Sequence, residues 1–331
     1  MEKLDLHEEF LNALNNKITR RADLINEVAD ILKIEKDAAY RRLSGKVNFS
    51  LREAGIIAAK FNLSFDKLMH KPQDHLWLPF FLEYPMEVHS IDTLYDIIDL
   101  RMNWIGEITQ GKVEAGNIYN SLPMEFYLFS PLLTKFMFFK WGNYFVGTEE
   151  FDNFSKWKQS QRIQELSLKL KKCYNFDKVY YIWDESLIWN LCREISNFHK
   201  MNIITRNEMY EIGIALKDLL NKIEKTLNGT YFPQLQITPD TDFYVSSINI
   251  GFISSYFISE DRYSISLLTN FSFSNIDDCP ESFRRLKEWM DSFRKISVQI
   301  SKSGRMERRL FFESQYKIVD QILNLSDVSI Y

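Results

Sequence analysis

Lys36, Ala38, Arg41 and Arg42 are the residues of this 331-residue chain whose types and spacing suit a definite chemistry. An arginine guanidinium takes two acceptors at once, so it pairs with the N7 and O6 atoms of a guanine or grips a phosphate. On a helix turning about 100° per residue, Tyr40 and Leu43 point inward together, and Ala38, Arg41 and Arg42 lie opposite them. A small residue between two arginines lets such a face sit deep in the major groove of DNA. Lys46 and Asn48 follow in a loop, where a lysine and an amide suit phosphate positioning. Arg20 and Arg21, with Lys17, form a second basic patch ahead of the preceding helix.

These side chains need short helices to hold them. Leu6, Phe10 and Leu14 form one apolar stripe, and Ile25, Val28, Ala29 and Leu32 recur with helical spacing. Lys36–Ser44 reads as a short helix stopped by Gly45, which suits a left-handed position. Ser50 and Glu53 form a capping box ahead of Leu51, Ala54, Ala58 and Phe61, and Ser64 caps a fifth short turn. Ala29 is small where two helices must cross.

Charge agrees with this placement. The whole chain is acidic, at −4, which argues against a protein that coats nucleic acid by charge alone. Residues 1–70 hold twelve Lys/Arg against eleven Asp/Glu, and residues 36–52 hold five against one. The basic charge is therefore concentrated where the outward helix face is expected.

The segment Leu24–Leu68 resembles the helix-turn-helix domain of the phage-repressor/Cro-like (Xre) transcription regulators. The matching stretches are Val28-Ala29-Asp30-Ile31-Leu32-Lys33-Ile34, then Tyr40-Arg41-Arg42-Leu43-Ser44-Gly45, then Leu51 to Lys60 and Asn62-Leu63-Ser64-Phe65-Asp66-Lys67-Leu68. Lys33 stands where that family usually has glycine. The resemblance implies that Lys36, Ala38, Arg41 and Arg42 face the major groove and that Lys46 and Asn48 lie near phosphate. The remainder is loosely similar to the C-terminal part of bacterial regulators carrying the same module. That similarity rests on Ser130-Pro131, Phe138-Phe139-Lys140-Trp141, Ile300-Ser301-Lys302-Ser303-Gly304, Arg308 and Phe311-Phe312. It implies an effector or dimerisation role.

The expected fold is mainly α. A five-helix Cro/repressor-like domain spans residues 1–70, a linker 71–75, and an α-rich effector and dimerisation domain 76–331. That larger domain is expected to carry a small antiparallel β element within about residues 231–276, because Phe243–Ile258 and Tyr263–Phe273 are rich in Ile, Phe, Tyr and Ser. Helices are expected over Ile91–Ile105 up to Gly111, from Pro131 to Gly142, from Asp184 to about His199, from Thr205 to Gly229, after Pro280, and over Met306–Leu323. Low Gly and Pro counts, 11 and 8, favour such helices.

Rival chemistry is sparse. No phosphate loop, nucleophile elbow or zinc-helix motif occurs, so no catalytic residue, metal or cofactor is assigned. His70 and His75 straddle Pro72 and read as linker rather than ligands. Asp92, Asp96 and Asp99 read as a solvated helix face, and so do the basic runs Lys156–Lys172 and Arg305–Arg309. Phe126–Trp141, Trp183 and Trp189 read as core, with a ligand pocket as the rarer meaning. Three dispersed cysteines, Cys173, Cys192 and Cys279, make no disulfide framework. With no apolar leader or membrane span, the reading is a cytoplasmic, non-enzymatic regulator. Its expected partners are double-stranded DNA, a second copy of itself and a small-molecule effector. The alternative is an adaptor that uses the N-terminal helices to bind protein.

Overall fold

The structure is a computed structural model. It describes residues 5–18, 20–61, 63–65, 68, 88, 90–108, 111–173, 176–230, 237, 240–260, 262–269, 272–276 and 280–323. The chain divides into two compact units, Met1–Phe81 and Leu82–Tyr331. The expected linker 71–75, His70, His75 and Cys279 lie outside the described residues.

The first unit holds α1 (Leu6–Lys17), α2 (Arg21–Leu32), α3 (Lys36–Leu43) and α4 (Leu51–Phe61). Asp5 caps α1 by accepting the His7 backbone N–H at 2.9 Å. Helix α2 ends at Lys33, whose φ of 54° and ψ of 48° are left-handed, and the Ile34 N–H returns to the Ala29 carbonyl at 3.0 Å. The Ser50–Glu53 box forms in both directions, with Ser50 N–H donating to Glu53 Oε2 at 2.8 Å and Glu53 N–H to Ser50 Oγ at 3.3 Å. Phe10, Leu14, Leu24, Val28, Ala39, Leu43 and Ile57 close one apolar core. The fifth turn is described only at its ends, where the Leu68 N–H donates to the Ser64 carbonyl at 3.1 Å.

The second unit overturns the expected fold class. It is built on a seven-stranded mixed sheet, not a small antiparallel element among helices. In chain order it holds α5 (Ile91–Ile108), β1 (Glu114–Tyr119), α6 (Met124–Tyr127), α7 (Pro131–Trp141), α8 (Gln161–Cys173), β2 (Lys178–Trp183), α9 (Trp189–Lys200) and α10 (Arg206–Leu227). Then come β3 (Thr241–Val245), β4 (Ile253–Ile258), β5 (Tyr263–Thr269), β6 (Ser272–Ile276), α11 (Pro280–Ile296), β7 (Val298–Gln299) and α12 (Arg305–Leu323). The strand order is β6-β5-β4-β1-β2-β3-β7. Strands β1, β2 and β3 are parallel neighbours, and the other pairings are antiparallel. The expected hairpin is real as β4–β5, turning through Ser259, whose N–H donates to the Arg262 carbonyl at 2.8 Å.

Besides the two-residue β7, the strands absent from the sequence reading are β1 and β2. Each is six residues long with at least four consecutive buried positions. A strand covered on both faces loses the apolar–polar alternation by which a half-buried strand is recognised. Strand β1 also contains Gly116 and Asn117, which weaken β character. The helix expected from Asp184 begins only at Trp189, after a turn in which Asp184 Oδ1 accepts the Ser186 N–H at 2.8 Å and the Asp184 carbonyl accepts the Leu187 N–H at 3.1 Å.

One sheet face, with Ala115, Val179, Tyr181, Trp183, Phe243 and Phe257, joins the core built by Phe136, Phe139, Ile195, Phe198, Leu216, Leu220 and Phe312. The Phe126–Trp141 run is thus core, as expected. On the other face Tyr256 meets Phe283 of α11, and Ser254 Oγ lies 3.4 Å from Met290 Sδ. A Cβ on Gly116 would stand 2.2 Å from the Tyr256 ring and 2.5 Å from that of Tyr180, so only glycine fits between them.

Helix signals elsewhere are realised. Ser130 Oγ accepts the Leu133 N–H ahead of Pro131, and Thr205 with Glu208 forms a complete capping box. Helix α7 does not stop at Gly142 but runs on as a π-helical turn to Val146, closed by left-handed Gly147. Cys192 is buried, and burial pushes its thiol up to about 12. No described helix is long and apolar enough to cross a membrane.

Candidate nucleic-acid interface

Helices α2 and α3 are joined by Lys33, Ile34 and Glu35, and pack on α4. The left-handed Lys33 lets so short a turn reverse direction, at the position where the sequence lacks the customary glycine. Arg21 fixes the far end of α3. Its Nη2 donates to the Leu43 carbonyl at 2.8 Å and its Nη1 to Asn15 Oδ1 on α1 at 2.5 Å. This satisfies a terminal helix carbonyl, so Arg21 is a strut within the unit.

The outward face of α3 differs from the expected one. The inward pair is Ala39 and Leu43, four residues apart, rather than Tyr40 and Leu43, three apart. Tyr40 is 44% exposed. Arg41 is exposed opposite the buried pair, Asp37 and Tyr40 are exposed beside it, and Ala38 is half-buried. The physical reason is the close approach of α2 and α3. Ala29 and Ala39 are both buried in their shared core, where a tyrosine ring has no room.

Arg42 is consequently turned toward α4. Its side chain is 20% exposed, and Nη2 pairs with Glu53 Oε1 at 2.9 Å while Nη1 donates to the Ala38 carbonyl at 3.2 Å. The Ser50 N–H and Arg42 together hold the Glu53 carboxyl below its ordinary range. Arg42 therefore links α3 to α4 and the capping box, and the sequence assignment of Arg42 to the outward face is corrected.

The remaining predicted residues stay at the surface. Lys36 and Arg41 are exposed, and among the described residues neither pairs with a carboxylate. Lys46 is exposed with its Nζ 5.6 Å from the Tyr40 ring centroid, a cation–π distance, and its backbone N–H closes on the Arg41 carbonyl at 3.0 Å. Asn48 is exposed in the following loop. Arg20 is 86% exposed, with a long 3.9 Å contact to Asp23. Lys36, Tyr40, Arg41 and Lys46 thus form one exposed stretch along α3 and the loop after it, with Asp37 as its acidic member. The sequence reading placed Tyr40 inward because i, i+3 and i, i+4 spacing both put two residues on one face, and it left Asp37 unassigned.

Other basic runs have partners inside the second unit. Arg162 pairs with Asp92 at 3.2 Å and with Asp96, and Lys169 pairs with Asp99 at 2.5 Å, so the acidic face of α5 meets the basic face of α8. Arg308 is buried and gives Nη1 to the Ile300, Ser301 and Ser303 carbonyls. Arg309 pairs with Glu313 at 2.7 Å. Among the described residues no three His, Cys, Asp or Glu side chains gather as a metal site. Compared with protein families, curated proteins and solved structures, the chain has no match.

Proposed function

We propose that the chain is a cytoplasmic, sequence-specific DNA-binding transcription regulator of the phage-repressor/Cro-like (Xre) kind. In this reading α3 enters the major groove, Arg41 reads a guanine, Tyr40 and Asp37 contact neighbouring base edges, and Arg20, Lys36, Lys46 and Asn48 approach phosphate. The second unit serves dimerisation and the response to an effector, not catalysis. A dimer sets two such helices about 34 Å apart on successive major-groove faces. One observation carries the reading: a short helix, packed on its partner through a left-handed turn, presents Arg41 and Tyr40 outward between two exposed lysines.

The experiment is selection of duplexes from a randomised pool by the full-length protein, followed by titration of the enriched site. Arg41→Glu is expected to weaken that site by at least about tenfold, the worth of one bidentate base contact. Affinity should also fall steeply as salt rises. Arg42→Glu sets two carboxylates face to face and should loosen the first unit instead. Failure to enrich any sequence, or unchanged binding by Arg41→Glu, overturns the reading in favour of a protein-binding adaptor.

A further inference from the structure

The C-terminal ends of the three parallel strands hold a second group of residues, unrelated to DNA contact. In open α/β sheets this edge is where ligands bind. Glu125, on α6 directly after β1, is only 6% exposed. Its Oε1 accepts the Tyr181 hydroxyl at 2.9 Å, and among the described residues its Oε2 has no hydrogen-bond partner. Trp183, the last residue of β2, is fully buried, and its Nε1 has no partner among the described residues. Gln315 on α12 is fully buried. Its Nε2 donates to the Glu185 carbonyl at 2.8 Å, and its Oε1 has no partner among the described residues.

One aromatic cluster connects the three. The Phe126 ring lies 5.5 Å from Tyr181 and 5.6 Å from Trp183, both edge to face. Phe243 stacks on Tyr181 at 5.1 Å. Phe311, one turn before Gln315 on α12, stacks on Trp183 at 6.1 Å. Buried polar atoms are nearly always paired, so three orphans around one aromatic cluster ask for a partner. Their chemistry defines it: two acceptors, one donor and ring faces.

The chain crosses this same sheet edge between β3 and β4. Residues 246–252 pass the ends of β2 and β1, as the strand order requires. The strap is held at Ile250, whose N–H donates to Asp184 Oδ2 at 2.7 Å and whose carbonyl accepts from Asn120 Nδ2 at 3.1 Å.

We propose that this cluster binds a small organic ammonium ion carrying one acceptor oxygen. The ammonium donates to Glu125 Oε2 and Gln315 Oε1 with its charge toward the rings, the oxygen accepts from Trp183 Nε1, and the strap at Ile250 governs entry. A cation is the fitting charge. Burial pushes the Glu125 carboxyl up to about 7, opposed by its own backbone N–H and by Tyr181, and among the described residues no basic side chain stabilises its charge. A ligand ammonium supplies that missing partner, and indole is the strongest of the side-chain rings for cation–π contact.

The test uses the full-length protein and no DNA, so it stands or falls apart from the DNA reading. Ethanolamine, ethylammonium and acetate are titrated at constant ionic strength and pH 8, with tryptophan fluorescence and thermal unfolding as readouts. Saturable binding is expected for ethanolamine, weaker binding for ethylammonium, which lacks the oxygen, and none for acetate. Glu125→Gln should weaken ethanolamine by at least about tenfold, the worth of a charge-assisted hydrogen bond, with near-ultraviolet dichroism retained. Trp183→Phe should bring ethanolamine down to the affinity of ethylammonium. Should Glu125→Gln lose its tertiary dichroism, Gln315→Met takes its place with a loss expected in the same direction. No saturable response to either ammonium, as when a water alone fills the orphaned positions, overturns the proposal. Equal binding by the folded variant overturns it too.

Discussion

Replacing Glu125 by glutamine should make the second unit insensitive to one particular pH step. The carboxyl ionises near 4.5 in its ordinary state and near 7 in the folded protein, chiefly because burial disfavours the charge. Below about pH 4.5 it is protonated in both states and contributes nothing to the pH dependence. Between 4.5 and 7 the unfolded chain gives up the proton while the folded chain keeps it, so the unfolding free energy falls as pH rises. At about 1.4 kcal/mol per unit, a separation of about 2.5 units makes this loss about 3 kcal/mol by pH 8. Glutamine keeps an oxygen for the Tyr181 hydroxyl and has no proton to lose. Urea unfolding of parent and variant, followed by tryptophan fluorescence from pH 4 to pH 8, measures the difference. Six of the seven tryptophans lie in residues 82–331, so the signal reports the relevant unit. The variant's advantage should grow by about 3 kcal/mol across that range. A difference that stays flat with pH would refute the reasoning, since every other titrating group is common to both proteins.

Two further outcomes follow from backbone geometry. Lys33→Gly should stabilise the first unit by about 0.5–1 kcal/mol, because a lysine at φ 54° bears a left-handed penalty of about 1–2 kcal/mol that glycine escapes, less glycine's greater unfolded entropy. Slower amide exchange at Ile34 and along α2 and α3 measures it, and faster exchange would count against the left-handed turn. Gly116→Ala should destabilise the second unit by about 1–3 kcal/mol or more through collision with the Tyr256 and Tyr180 rings. A urea midpoint equal to the parent's would show that the two rings can move aside.

Much of the first unit is legible without coordinates. The amphipathic stripe of α2, the Ser50–Glu53 box and Gly45 are local features, encoded within a few residues and formed as expected. The outward face of α3 is not local. Tyr40–Leu43 and Ala39–Leu43 are both good helical pairs, and only the close approach of α2 decides between them. That choice exposes Tyr40, keeps Arg41 outward and turns Arg42 onto Glu53. Of the arginines read as outward, Arg41 is exposed, while Arg42 and Arg21 are held by partners within the unit.

The second unit shows the same division at larger scale. Caps and helix stops at Ser130-Pro131, Thr205–Glu208 and Gly229 are carried by local hydrogen bonds and backbone freedom, so sequence alone fixes them. The sheet depends on partners far away in the chain. Strand β1 pairs with β2 more than sixty residues on and with β4 about 140 residues on, and its own six residues carry no alternation to announce them. The pairing of the acidic α5 face with α8, and the meeting of Glu125, Trp183 and Gln315 near one aromatic cluster, arise only when that sheet forms. Sequence by itself determined the capped helix starts at Leu51, Pro131 and Arg206 and where basic charge gathers, because those depend on neighbouring residues. Tertiary structure decided which charges face water and which buried polar groups share a neighbourhood, because burial and long-range pairing belong to the whole fold.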